Sequence, residues 1–169
     1  ISASPHINSG VTTRSIMRDV LIALAPALIA GTVIFGWRAL LVTAVCTASC
    51  VFFEWGFEKL CKRESTIGDL SAAVTGVILA FNLPVGIPLW QAAFGGLVAI
   101  VVVKQLFGGI GKNFANPALV GRIVMFLAFS KSMTAWVFPD AVSSATPLAQ
   151  MAEGGAQDYL RLLLGNHGG

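Results

Sequence analysis

Apolar residues run through this chain in five long blocks, each closed by a short cluster of charge, glycine or proline. The first, Met17 to Trp37, is long enough for a crossing of ~20 residues and carries Pro26 in its middle, which membrane helices tolerate. Trp37 and Arg38 mark its far interface, and the second block, Ala39 to Phe57, follows almost at once. "EKLCKRE" closes that block with Lys59, Lys62 and Arg63. The third, Leu70 to Leu83, is entered through "TIGDLSAAVTG", where Thr66 or Asp69 can cap the helix N-terminus, and is left through "FNLP". The fourth, Ile87 to Val103, is apolar and glycine-rich and ends in "KQLFGGIGKN". The fifth begins after "NFANP", with Pro117 at a favourable first-turn position, and runs to about Ser130.

These blocks differ in reach. Leu70 to Leu83 is 14 residues, about 21 Å of helix against a hydrocarbon core of about 30 Å, too short to cross alone. Short third and fifth blocks, each entered through a Gly, Asp, Asn or Pro breaker, predict discontinuous helices whose ends line a site inside the protein. Non-helical backbone at that depth must be covered by protein or face a cavity, because lipid cannot satisfy its N–H and C=O groups.

Composition turns this pattern into a class. Of 169 residues, 56% are hydrophobic and 11% charged, whereas a soluble domain is about 25% charged. The expected fold is all-α and polytopic: an arm over 1–16, five transmembrane helices over 17–130 and an extracytoplasmic segment over 131–169. The net charge of +3 does not point to nucleic acid, since Lys and Arg sit singly or in threes between apolar runs. Arg14, Arg18, Lys59, Lys62, Arg63, Lys104 and Lys112 fall on one side and Arg38 and Lys131 on the other, which predicts a cytoplasmic N-terminus. The polar first sixteen residues lack the features of a cleavable signal, so the first span is expected to direct insertion. The opening Ile1 and the abrupt end at "LLLGNHGG" suggest truncation at both ends. Cys46, Cys50 and Cys61 form no CxxC, and His6 and His167 are isolated, so no metal site is expected.

Two stretches carry candidate chemistry. "GGIGKNFANP" is not a phosphate loop, because Leu106 occupies the position of the required glycine; it reads as a glycine turn leading to a helix start. Arg18 and Asp19 lie at the inner mouth of the first block and Glu54 near the inner end of the second, while Arg122, inside the fifth, needs a partner at membrane depth: an acid, or a phosphate or ring oxygen of a bound cofactor. "DAVSSAT", Asp140 to Thr146, resembles the acceptor motif Asp-x-x-(Ser/Thr)-Gly-Ala-(Ser/Thr), on which a flavin transferase makes a phosphoester between flavin mononucleotide (FMN) and the last hydroxyl. Thr146 would supply that oxygen; Ser143, Ser144 and Ala145 are small enough for a transferase cleft, and Pro147 biases Thr146 toward an extended backbone. Ser144 departs from the commoner glycine.

"SPHINSG", "GWRALLV", "TIGDLSAAVTGVILAFNLP", "IPLW", "VVKQLFGGIGKNFANPALVGR" and "SSATPLAQM" occur in this order, and together they resemble the RnfD family of membrane subunits from Rnf electron-transport complexes. A more distant similarity is to the NqrB family of the sodium-pumping NADH:quinone oxidoreductases. The resemblance implies half of an inverted-repeat fold of about ten spans, FMN held covalently on Thr146, and a second, noncovalent flavin, riboflavin or FMN. By the same resemblance Asn113 and Asn116 either hydrogen-bond a flavin or only cap and turn the chain. It further implies a bacterial or archaeal cytoplasmic membrane, partner membrane, flavin and iron–sulfur subunits, and a flavin transferase for maturation. The implied activity is electron transfer between ferredoxin and NAD, coupled to Na+ or H+ translocation, with no catalytic residue in this chain. A channel or solute transporter without a redox cofactor would show the same broken helices and small-residue packing.

Overall fold

The computed structural model describes residues 12–63 and 65–135, and all of its regular elements are helical. Helix α1 (Thr13–Phe35) starts where the Thr12 side-chain oxygen accepts the Ser15 N–H at 3.2 Å, and it runs through Pro26 without ending. At about 1.5 Å per residue its 23 residues reach about 35 Å. Gly36, with φ 77°, both ends α1 and starts α2 (Trp37–Leu60), a sharp reversal that favours a residue without Cβ. Trp37 and Arg38, expected in the link, are the first residues of α2.

The three remaining principal helices are shorter. A 3₁₀ turn (Ile67–Asp69) and Leu70 at φ 64° lead into α3 (Ser71–Phe81), 11 residues long. Asp69, not Thr66, caps it: its Oδ1 accepts the Ser71 N–H at 2.7 Å. Helix α4 (Leu89–Leu97) continues into a wider segment, Val98–Gln105, whose backbone bonds span five residues and which extends past the expected end at Val103. Helix α5 (Pro117–Ala128) has Pro in its first turn, and Phe129 (φ −132°, ψ 47°) separates it from the single turn α6 (Ser130–Met133). Only α1 and α2 of the described helices are long and apolar enough to cross a membrane alone, while α3, α4 with its extension, and α5 are short apolar helices.

Helix α2 is the hub, packing against α1, α3 and α4, while α5 packs on α3 and on α4 with its extension. Cys46, Leu79, Ala92, Ala118 and Met125 form a fully buried core, and Cys50 joins Ile100 in a second cluster, so two of the cysteines serve as small packing residues. Small residues set how closely the helices approach. A Cβ on Gly76 of α3 would fall 2.6 Å from the Thr47 Cα of α2, and one on Gly121 of α5 would fall 3.1 Å from the Gly95 carbonyl oxygen of α4. Helix α1 buries no residue, and Ile22, Ile29 and Val33 lie exposed along it.

Gly76→Ala therefore forces two backbones apart and should lower stability by about 1–3 kcal/mol. Gly31→Ala, where nothing lies within 4 Å, should leave it unchanged or raised. Thermal unfolding of the purified protein in detergent reads both.

Candidate functional site

The end of the bundle opposite Gly36 gathers polar side chains from four elements. The last turns of α2 contribute Glu54 and Glu58, four residues apart and so on one face. Thr66 precedes the 3₁₀ turn, Ser71 opens α3, and Lys104 and Gln105 close the extension of α4. Glu54 is 0%, Lys104 2% and Glu58 3% exposed. Burial of this kind is costly unless charges are paired and hydrogen-bonded.

The pairing is direct. Lys104 Nζ lies 2.6 Å from Glu54 Oε1 and also donates to Ser71 Oγ. Glu54 Oε1 additionally accepts from Gln105 Nε2 at 3.1 Å, and Thr66 Oγ1 lies 2.8 Å from it. Ser71 Oγ in turn donates to Asp69 Oδ1, so the chain Lys104–Ser71–Asp69 ties the ammonium to the cap of α3. The widened backbone from Val98 to Gln105 leaves both Lys104 and Gln105 buried at this end of the bundle. Arg63 anchors the rim, donating to the Gln105 carbonyl at 3.1 Å and lying over the Phe57 ring. By contrast the Arg18–Asp19 pair is exposed on both sides, 3.4 Å apart, and contributes little.

Apart from Glu54, an acid the sequence places inside the second block, this network lies outside the residues that the sequence singles out for chemistry. Lys104 reads in the sequence as a flanking basic residue marking the cytoplasmic side; it is instead an interior partner of Glu54, which leaves Arg14, Arg18, Lys59, Lys62, Arg63 and Lys112, six residues, on that side of the count. Two acids at four-residue spacing within an apolar helix are the available signal; their cation lies 50 positions away, beyond any local pattern.

The expected residues are distributed differently. Thr146, Ser143, Ser144 and Ala145 lie outside the described residues. Asn116 caps α5, its Oδ1 accepting from Ala118 N at 3.0 Å and Leu119 N at 3.4 Å. Asn113 is half-buried in the preceding loop, and its Oδ1 is buried without a partner among the described residues. Arg122 is exposed midway along α5 and reaches the Asn82 side-chain oxygen at 3.4 Å, a neutral amide just past α3 rather than an acid. A second ligature joins the opposite end: Arg38 donates to the Val85 carbonyl at 3.1 Å, tying the start of α2 to the α3–α4 loop. Beside that loop a cavity of about 270 Å³ opens between α1, α2 and the end of α3, lined by Leu28, Gly31, Val42, Ala80 and Pro84 among others.

Apolar helices of crossing length, glycine-tight packing and a buried ion pair define an all-helical membrane protein. Its sequence places it further: the pattern of the family described as "NQR2, RnfD, RnfE family" matches residues 1–169, and the chain belongs to that family. It is 45% identical over 157 residues to the D subunit of the Na(+)-translocating ferredoxin:NAD(+) oxidoreductase complex of Acetobacterium woodii, covering 91% of this chain and 49% of that one. It is 37% identical over 168 residues to the D subunit of the proton-translocating ferredoxin:NAD(+) oxidoreductase complex of Clostridium ljungdahlii, covering 96% and 50%. To the D subunit of the ion-translocating oxidoreductase complex of Halorhodospira halophila it is 39% identical over 145 residues, covering 85% and 41%. The chain thus spans about half the length, or less, of these relatives.

Ser71→Ala removes the hydroxyl that accepts from Lys104 and leaves a buried ammonium hydrogen without that partner, so it should cost about 1–3 kcal/mol. Asp19→Asn, at the exposed pair, should move the melting temperature hardly at all; equal effects at the two sites would contradict the contrast between them.

Proposed function

We propose that this chain is the flavin-carrying membrane subunit of an Rnf-type complex, relaying electrons between ferredoxin and NAD in a reaction coupled to translocation of Na+ or H+. The carrying observation is the run Asp140-x-x-Ser-Ser-Ala-Thr146 in a chain that matches the family from end to end. Thr146 is the acceptor of FMN through a phosphoester, with Ser143, Ser144 and Ala145 giving a transferase room to reach it. A bound flavin accepts one or two electrons, and the protein supplies its position and electrostatics. Two groups among the described residues suit such a ligand. Among those residues the Arg122 guanidinium meets a neutral amide and no acid, which suits it to attract a phosphate or a ring oxygen, and Asn113 Oδ1, without a partner there, can accept a ring N–H. A second, noncovalent flavin belongs to the same reading.

The chain takes a multi-pass course through the cytoplasmic membrane with its N-terminus inside, supported by six basic residues against Arg38 and Lys131. Its partners are the other membrane, flavin and iron–sulfur subunits of the complex, and a flavin transferase matures it. The names of the similar proteins, one Na(+)-translocating and one proton-translocating, support the redox role and leave both ions open.

Coexpression of the full-length protein with a flavin transferase, followed by denaturing electrophoresis under ultraviolet light, tests the attachment. Fluorescence should be present in wild type and in Ser143→Ala and absent in Thr146→Val; a fluorescent Thr146→Val, or a dark wild type, would contradict it and favour a transporter without a redox group. Topology is tested separately in a Cys61→Ser background. Single cysteines at Ser65 and Ser144 should react with an impermeant thiol reagent from opposite sides of the membrane, and labelling from one side would overturn the course described.

A further inference from the structure

We propose that the Glu58 carboxyl carries a proton, making the Lys104 end of the bundle a buried site for one exchangeable proton shared through Thr66 with the Glu54 carboxylate. Charge is the first reason. Two carboxyl groups and one ammonium are buried together, and Lys104 contacts Glu54 and not Glu58. Of the other charged side chains nearby among the described residues, Arg63 binds the Gln105 carbonyl and Phe57, Lys59 the Trp55 ring, and Asp69 binds Ser71. A second carboxylate would stand inside without a cation, which buried charge does not tolerate.

Hydrogen counting gives the second reason, independent of charge. Thr66 Oγ1 lies 2.8 Å from Glu54 Oε1 and 2.5 Å from Glu58 Oε1, yet a hydroxyl owns one hydrogen. If it donates to Glu54, which already receives Lys104 and Gln105, the second contact needs a hydrogen from Glu58, whose Oε1 also accepts the Thr66 backbone N–H at 3.0 Å. Moreover, the second oxygens of both acids, Glu54 Oε2 and Glu58 Oε2, are buried with no partner among the described residues, so the pair carries more acceptor capacity than donors there while both are ionised. The Thr66–Glu58 separation leaves no room for a metal ion between the two oxygens. Thr66 is an exposed residue whose hydroxyl contacts both acids, so it stands between the buried pair and the surface.

The proton moves without change in covalent structure. It leaves Glu58 by way of the Thr66 hydroxyl, which passes its own hydrogen toward Glu54 or to water and receives the one from Glu58. This holds whether or not Thr146 carries a flavin.

Infrared difference spectra of the full-length protein in its purified complex test it, wild type minus Glu58→Gln at neutral pH. A carboxylic-acid carbonyl band, shifted in D2O and unaffected by replacing potassium with sodium, is expected in wild type and lost in the variant. Because glutamine reproduces the shape and donor pattern of a neutral acid, Glu58→Gln should melt close to wild type, whereas Glu54→Gln, which strips Lys104 of its counter-charge, should melt far lower. Should Glu58→Gln fail to assemble, Thr66→Val keeps the test: the acid band should move to higher frequency as its hydrogen bond is lost. A spectrum lacking the band, a band surviving in Glu58→Gln or unmoved in Thr66→Val, or equal melting losses in the two glutamine variants would overturn the proposal.

Discussion

A buried ammonium cannot be left alone in an apolar bundle, and that constraint organises one whole end of this protein. Lys104 finds Glu54, Glu54 is held by Gln105 and Thr66, and Ser71 passes the network on to Asp69. The partners come from α2, the 3₁₀ turn and the residue before it, the start of α3 and the extension of α4, so the network ties these elements together. The widened backbone there follows the same logic, since it accompanies the burial of two consecutive polar side chains.

Away from that end the helices are held by shape. Gly76 lets α3 touch the α2 backbone, and Gly121 brings α5 onto α4. With α3 and α5 at 11 and 12 residues, their termini fall short of a full crossing, and the polar backbone released there is met by side chains: Asp69 at the start of α3, Asn116 at the start of α5 and Arg38 across the α3–α4 loop. Short helices with capped ends are an arrangement in which membrane proteins place binding groups between elements.

Much of this architecture is legible in the residues. Hydropathy marks five apolar blocks, Asn116–Pro117 marks the α5 start, and Gly36 separates α1 from α2 although the link is expected a residue or two later. What hydropathy cannot see is pairing. A lysine at the end of an apolar run looks like an interfacial flank until its carboxylate is found 50 residues earlier, and a threonine suited to a cap is drawn instead to two acids. Arg122 shows the converse: its need for a polar partner is readable, but the amide of Asn82 comes from tertiary placement. Of the residues singled out for chemistry, Thr146 and its neighbours rest on motif alone, because a phosphoester acceptor is defined by its hydroxyl and small flanks.

The dependence of the fold on the Lys104–Glu54 pair is tested most directly by a double-mutant cycle, Glu54→Leu, Lys104→Met and both together, read by thermal unfolding of the assembled protein. Each single change strands a buried charge and should cost about 3–5 kcal/mol, while the double, which removes both charges, should cost much less than their sum. Additive losses would mean that the two side chains act independently and would contradict the account.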